Sequence, residues 1–211
     1  MTEYSKYPIC DTDIWVNLCL GEIEKNLFNK YLKVSFVDVV KDEILNWTKS
    51  KNSFIAEKFN IASNNSKAIT INVCEEETSD IDKLDRLIIE KQLIEDAGFP
   101  KGFKTPRGKE RKNMGEYLSA IVADYLEIPL MKSNDHLFRD GERGKELYPN
   151  LIVKNWEDTL KDLVPEKEIK GIRKKVNIAN NEMRKEKKEY ENGRATLESI
   201  QKLADKFNCK F

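Results

Sequence analysis

Short apolar runs alternate with amphipathic stretches along most of this chain. Buried or alternating runs predict strands at 7–10, 68–73, 128–133 and 151–153. Apolar residues at helical spacing predict helices over 12–20, 36–47, 50–64, 80–97, 115–127 and 156–163. Helices that alternate with strands are typical of an α/β fold. We therefore expect a central, mainly parallel sheet with helices on both faces.

The pattern changes after Pro165. Apolar residues are sparse from there until Leu197, Ile200, Leu203, Ala204 and Phe207, which fall at helical spacing. The sequence predicts an α/β domain over 1–164 and a helical C-terminal extension over 165–211, formed by two helices. The apolar stripe must be buried against the α/β domain, a second copy of the chain or another protein.

Charge is abundant but balanced, with 37 basic and 37 acidic residues, so the net charge points to no partner. Its distribution is uneven, because segment 75–96 is acidic and segment 101–112 is basic. The bases of the second segment are Lys101, Lys104, Arg107, Lys109, Arg111 and Lys112. Its Gly and Pro residues predict a mobile loop, which could contact the phosphates of a nucleic acid, with Phe103 stacking on a base.

Cysteine usage and the first residues bear on the compartment. The cysteines Cys10, Cys19, Cys74 and Cys209 lack the spacing of a zinc site or a disulfide framework. The sequence begins with neither a signal nor a transit peptide, and no apolar run reaches bilayer length. We expect a reduced, cytoplasmic protein.

Four acidic residues lie where elements of the predicted sheet should converge. Asp11 and Asp135 follow the strands 7–10 and 128–133, Glu116 opens a helix, and Glu43 lies within another. Each has an ordinary explanation as a helix cap, dipole partner, turn residue or solvated acid. Carboxyl ends of parallel strands share one edge, however, and clustered oxygen ligands favour Mg²⁺ or Mn²⁺. The combination predicts a metal site.

Three segments carry a resemblance to a known family. Segment 9–15 resembles the opening strand of the PIN domain, an α/β nuclease fold, and segment 39–45 resembles its second helix. Segment 115–138 resembles the family's Gly-Glu helix and the strand that follows it. The resemblance covers roughly residues 5–160. The chain is longer than the compact toxin members of that family.

The resemblance implies roles for individual residues. Asp11, Glu43, Glu116 and Asp135 would form the acidic quartet, with Asp11, Glu116 and Asp135 as metal ligands and Glu43 as a ligand or an orienter of water. Glu116 stands where many members have Asp. Supporting residues would position the quartet, bind a phosphate or add an acid; they are Asp13, Ser133, Asn134 and Asp140. His136 follows Asp135 incidentally.

The implied function is a Mg²⁺- or Mn²⁺-dependent phosphodiesterase. It would be an endoribonuclease that leaves 5′-phosphate and 3′-hydroxyl ends, with DNA as the alternative substrate. Two other functions remain open: an inactive PIN-like module that binds RNA or protein, and a toxin-like subunit held by an inhibitor protein. The C-terminal extension would then bind the inhibitor, or would form a homodimer.

Overall fold

A five-stranded parallel sheet forms the centre of the protein. The computed structural model describes the backbone of residues 3–106, 108–138 and 141–206, and the side chains in these ranges except 3, 49, 187 and 190–206. The strands are β1 (Ile9–Cys10), β2 (Val34–Val37), β3 (Ala68–Ile71), β4 (Leu130–Lys132) and β5 (Ile152–Lys154). Their order is β3-β2-β1-β4-β5, and every pairing is parallel. The predicted α/β class is confirmed.

Helices connect and cover the strands of the sheet. They are α1 (Thr12–Gly21), α2 (Glu24–Tyr31), α3 (Asp38–Leu45), α4 (Phe54–Asn64), α5 (Lys83–Glu95), α6 (Met114–Tyr125), α7 (Arg143–Leu147) and α8 (Trp156–Leu163). Cys10 and Lys132 are register partners, so their side chains share one face, and there Lys132 meets Tyr31 of α2 and Thr159 of α8. Helix α6 packs against β1, β2 and β4.

Strand order creates the edge at which the acids meet. The chain moves outward from β1 to β3 on one side, then returns to the other side of β1 with β4 and β5. The carboxyl ends of β1 and β4 therefore flank a topological switch point, where open α/β sheets place their ligands. Asp11 directly follows β1, and Asp135 lies three residues after the last residue of β4.

An aromatic cluster anchors α1 and α4 on the sheet. The ring of Trp15 meets those of Phe36 and Phe59 edge to face, each at 5.7 Å between centroids. The indole Nε1 of Trp15 donates a hydrogen bond to the carbonyl of Ile55 (3.2 Å), so its one polar atom is satisfied although the side chain is fully buried. This packing fixes the first turn of α1, and with it Asp11.

The structure departs from the sequence predictions around β2 and within segment 99–112. The helix predicted over 36–47 begins at Asp38, because 34–37 forms the buried strand β2, and helix α2 precedes that strand. Strand β2 is buried on both faces, so its apolar run lacks the alternation of a half-buried strand and merges with the apolar positions of α3. Segment 99–112 contains short 3₁₀ turns at Gly102–Lys104 and Lys109–Arg111, and Phe103 is buried.

The chain divides into two compact units, Met1–Ile169 and Lys170–Phe211. One helix, α9 (Glu166–Lys206), occupies the segment for which two helices were predicted. The predicted apolar stripe 197–207 lies outside the described side chains. Among the residues that the structure describes, no helix is both long and apolar enough to cross a membrane.

Candidate active site

Asp11 is a buried carboxylate with both oxygens engaged. It caps α1, and the backbone N–H of Thr12 donates to its Oδ1 (2.6 Å). The hydroxyl of Ser133 donates to its Oδ2 (3.1 Å), and the residue is only 2% exposed. A charged group so poor in water must be held by other polar groups or neutralised. Asp11 is therefore fixed in position at high electrostatic cost.

Ser133 joins the ends of β1 and β4. While its hydroxyl donates to Asp11, the same oxygen accepts a hydrogen bond from the backbone N–H of Asp135 (3.1 Å). The carboxylate of Asp135 in turn accepts from the N–H of Leu137 (2.8 Å) and lies 3.3 Å from Nδ1 of the exposed His136. Asp11 and Asp135 are thus linked through a single side chain, that of Ser133.

Glu43 enters the same region from α3. The hydroxyl of Thr12 donates to its Oε2 (2.6 Å), which ties Glu43 to the residue next to Asp11. Gly115, at the start of α6, also faces it: a Cβ there would lie 3.5 Å from Oε1 of Glu43 and 3.1 Å from Val40. The missing side chain lets α3 and α6 approach closely, and Glu116 is the next residue of α6.

Burial and mutual repulsion raise the pKa values of three of these acids. Burial raises the pKa of Asp11 well above its ordinary value, and the charges of Glu116, Asp13 and Glu43 raise it further. The pKa of Glu43 is also raised, by burial first and by Asp13, although the hydrogen bond from Thr12 lowers it. Burial, with Glu43, Asp135 and Asp13, raises the pKa of Glu116 to about 7.

Five carboxylates lie close enough for the charge of one to affect the pKa of another. Four come from the predicted quartet, and the fifth, Asp13, is an exposed residue in the first turn of α1. Within the described part of the chain, no Lys or Arg forms an ion pair with any member of the quartet. The charges within the cluster therefore oppose its full ionisation.

The donor chemistry of this cluster fits a hard divalent cation. Its polar groups are carboxylate and hydroxyl oxygens, which Mg²⁺ and Mn²⁺ prefer, and a cation would relieve the repulsion that raises the pKa values. As the side chains stand, however, no three His, Cys, Asp or Glu residues of the described ranges surround a common point closely enough to hold a metal ion. Cation binding would require the carboxylates to move inward.

The other predicted residues have different positions. The Oδ1 of Asn134 accepts a hydrogen bond from the N–H of Trp156 (2.8 Å), so this amide fixes the start of α8. Lys101 forms an exposed ion pair with Glu110 (2.9 Å). Lys109 and Lys112 are exposed. The predicted residues Arg107 and Asp140 lie outside the described residues.

A polar cavity of about 610 Å³ lies beside α3 and the end of β3. Lys104 and Arg111 of the basic segment line it, together with Lys41 of α3. Arg111 also lowers the pKa of Glu43, so the cavity adjoins the acidic cluster. Acids line it as well: Asp38, Asp42 and Glu75. Phe103 contributes to its wall, with the guanidinium of Arg86 4.8 Å from the ring centroid.

Asp38 builds one wall of this cavity. Its carboxylate accepts hydrogen bonds from the backbone N–H groups of Val39 (2.9 Å), Val73 (3.0 Å) and Cys74 (2.7 Å). The sequence reasoning missed Asp38 and Lys41 because it missed β2. An acid directly after a buried strand was the available signal, the same one that identified Asp11.

Comparison with models of known protein families and with curated proteins found no match to this chain.

Proposed function

We propose that the protein is a Mg²⁺- or Mn²⁺-dependent phosphodiesterase that cleaves RNA internally and leaves 5′-phosphate and 3′-hydroxyl ends. The observation that carries the proposal is the meeting of Asp11, Glu43, Glu116 and Asp135 at the switch point of the sheet. Ser133 joins Asp11 to the backbone of Asp135, Thr12 joins Asp11 to Glu43, and the charges of Glu43 and Asp135 raise the pKa of Glu116. Buried like charges cost free energy. Acids that serve only as caps or surface groups would not be concentrated in this way.

The residues around the acids orient them for this chemistry. Thr12 holds Asp11 through its backbone N–H and Glu43 through its hydroxyl, while Ser133 bridges Asp11 and the backbone of Asp135. Such supporting hydrogen bonds fix the carboxylates that bind a cation. When bound, a divalent cation supplies Lewis-acid stabilisation of the charge that develops on the phosphate.

The neighbouring cavity offers a place for the substrate strand. Three bases, Lys41, Lys104 and Arg111, line it beside the acids described above and can contact backbone phosphates. An RNA strand that runs from the acidic cluster toward this cavity would pass these bases. Single-stranded RNA fits best, since its flexible backbone can bend from the switch point to the end of β3.

A cleavage assay tests the proposal. End-labelled RNA and DNA of the same sequence are incubated with Mn²⁺, with a chelator as the metal-free control. We expect internal RNA cleavage that the chelator abolishes, and a loss of about 10²-fold or more in Asp135→Asn and Asp11→Asn. Glu127→Gln, which changes an exposed acid beyond the far end of α6, is the matched control and should cleave normally.

Two results would contradict the proposal. Wild-type cleavage rates in Asp135→Asn would make Asp135 a turn residue, consistent with its hydrogen bond to Leu137. RNA binding without cleavage in any divalent metal would favour the inactive binding module. Circular dichroism of each variant checks that a loss of activity is not a loss of fold.

The substrate path has its own test. Lys41→Ala with Lys104→Ala should weaken RNA binding and lower the slope of log K against log salt by about 0.7 for each phosphate that the protein no longer neutralises. Lys25→Ala is the control, because Lys25 is an exposed lysine of α2 that lies outside the cavity lining. Equal effects of the double variant and the control would exclude the cavity as the path of the strand.

A further inference from the structure

Helix α9 continues without a break over Glu166–Lys206, and its sequence repeats every seven residues. With Ile169 as position a of the heptad abcdefg, the a positions are Ile169, Val176, Met183, Tyr190, Leu197 and Ala204. The d positions are Ile172, Ala179, Glu186, Gly193, Ile200 and Phe207. Apolar residues at a and d form the seam of a coiled coil, and a helix with this period of 3.5 supercoils around a partner.

The remaining faces of α9 are polar. Apart from Ile178, Ala195 and Leu203, no apolar residue of segment 169–207 falls outside a and d. Lys170, Lys174, Lys185 and Lys188, at positions b, c and f, are exposed. Ala179 and Met183, at positions d and a, are only partly exposed. A helix with one narrow apolar seam cannot form a core alone and needs a second helix.

The charges beside the seam identify the second helix. From Ala179 onward, position g carries the acids Glu182 and Glu189, and position e carries the bases Lys187 and Arg194. In a parallel pair, each g position faces the e position of the next heptad on the other chain. Two parallel copies of this chain therefore set acid against base at 182–187 and 189–194.

The opposite orientation lacks this complementarity. In an antiparallel pair, g faces g and e faces e. From Ala179 onward, Lys187 and Arg194 would then face bases or neutral residues, and Glu182 and Glu189 would face acids or neutral residues, so no pair of opposite charges forms. Like charges across a helix interface are destabilising. The e and g positions thus favour a second copy in parallel orientation.

We propose that segment 179–206 of the chain forms a parallel, in-register coiled coil with the same segment of a second copy. The pairing begins at Ala179 because Val176 is already buried in the single chain. Glu186 and Gly193 at d positions weaken the seam, whereas the sequence provides Leu197 and Ile200 at a and d positions near its end. The resulting assembly carries two copies of the acidic site.

Mass measurement by light scattering is the first test. At micromolar concentration the full chain should have twice the mass of the 24.6 kDa chain. Leu197→Asp with Ile200→Asp should return the mass to one chain. The matched control is Ser199→Asp with Lys202→Asp, which adds the same groups at positions c and f and should leave the dimer intact. A monomeric wild-type chain, or equal effects of the two double variants, would overturn the proposal.

Disulfide cross-linking tests the orientation and register. In a Cys209→Ser background, Glu186→Cys places a thiol at a d position, where two parallel in-register copies bring the thiols together. Mild oxidation should cross-link Glu186→Cys at least tenfold more than Lys188→Cys, which lies at the outward position f. Absence of this difference in a dimeric protein would refute the parallel register.

Charge reversal separates this pairing from other dimers. The double variant Glu182→Lys with Glu189→Lys places bases at position g and should reduce self-association at least tenfold. The double variant Lys187→Glu with Arg194→Glu places acids at position e and should have the same effect. The two variants mixed together should restore dimers, because each supplies the charge that the other lacks. If the mixture forms no mixed dimers, the e and g charges do not determine the partner.

Discussion

Replacing Glu116 by Gln should stabilise the metal-free protein at neutral and alkaline pH. Glu116 is partly buried and is repelled by Glu43, Asp135 and Asp13, and its pKa in the folded state is about 7 against an ordinary 4.5. Ionisation of this carboxyl therefore opposes folding. Gln has the same shape and lacks the charge, so it removes the repulsion without leaving a cavity.

The pH dependence of this stabilisation follows from the direction of the pKa shift of Glu116. Below about pH 4.5, where Glu116 is protonated in both the folded and the unfolded chain, its ionisation costs nothing. As pH rises through that range the unfolded chain ionises first, and the penalty grows until the folded carboxyl also ionises near pH 7. Above pH 7 the pKa difference of 7 − 4.5 corresponds to about 3 kcal/mol of lost stability.

Urea unfolding in the presence of a chelator measures this effect. At pH 8, Glu116→Gln should unfold with a free energy about 3 kcal/mol higher than the wild type, or melt about 6–12 °C higher. At pH 4 the two proteins should be equally stable. Glu127→Gln, the exposed control, should change little at either pH. If Glu116→Gln is no more stable than wild type at pH 8, or if its advantage is independent of pH, ionisation of Glu116 does not oppose folding.

Three further predictions concern the surrounding structure. Asp162→Asn should destabilise the fold by about 3–5 kcal/mol in thermal unfolding, because it leaves Lys132, which is fully buried 3.7 Å from Asp162, without its ionic partner. Lys132→Met removes the buried positive charge itself and should therefore cost far less stability than Asp162→Asn. Chemical denaturation of the two variants measures the difference. Asp38→Ala should cost about 2 kcal/mol or more in the same assay, since it removes the acceptor for the N–H groups of Val73 and Cys74; a neutral result would mean that water replaces the carboxylate.

The parts of the fold with strong local signals could be predicted from the sequence. Helices α1 and α8 have clear apolar spacing and capping residues, and their bounds agree closely with the prediction. Strand β2 could not be separated from α3, because a short strand buried on both faces has the same continuous apolar character as the buried side of a helix. Helix α2 buries few residues, so its pattern is weak.

Only the part of the site that lies at strand ends could be predicted from the sequence. Asp11, Ser133 and Asp135 follow buried strands, and parallel pairing of β1 with β4 brings strand ends together whatever their separation in sequence. The hydrogen bond from Thr12 to Glu43 and the cavity lined by Lys41 depend on how α3 packs against its neighbours. No local pattern encodes that packing, so these contacts emerge only from the tertiary structure.

Anomalous X-ray diffraction from crystals soaked with Mn²⁺ would show directly whether the acidic cluster binds a metal ion. We expect at least one Mn²⁺ peak at the switch point, about 2.0–2.3 Å from carboxylate oxygens of Asp11, Glu116 or Asp135, with the side chains drawn inward from their metal-free positions. The same soak of Asp11→Asn should lose or weaken the peak. A wild-type crystal with the acids accessible and no Mn²⁺ among them at millimolar concentration would contradict the proposal that these carboxylates form a metal site.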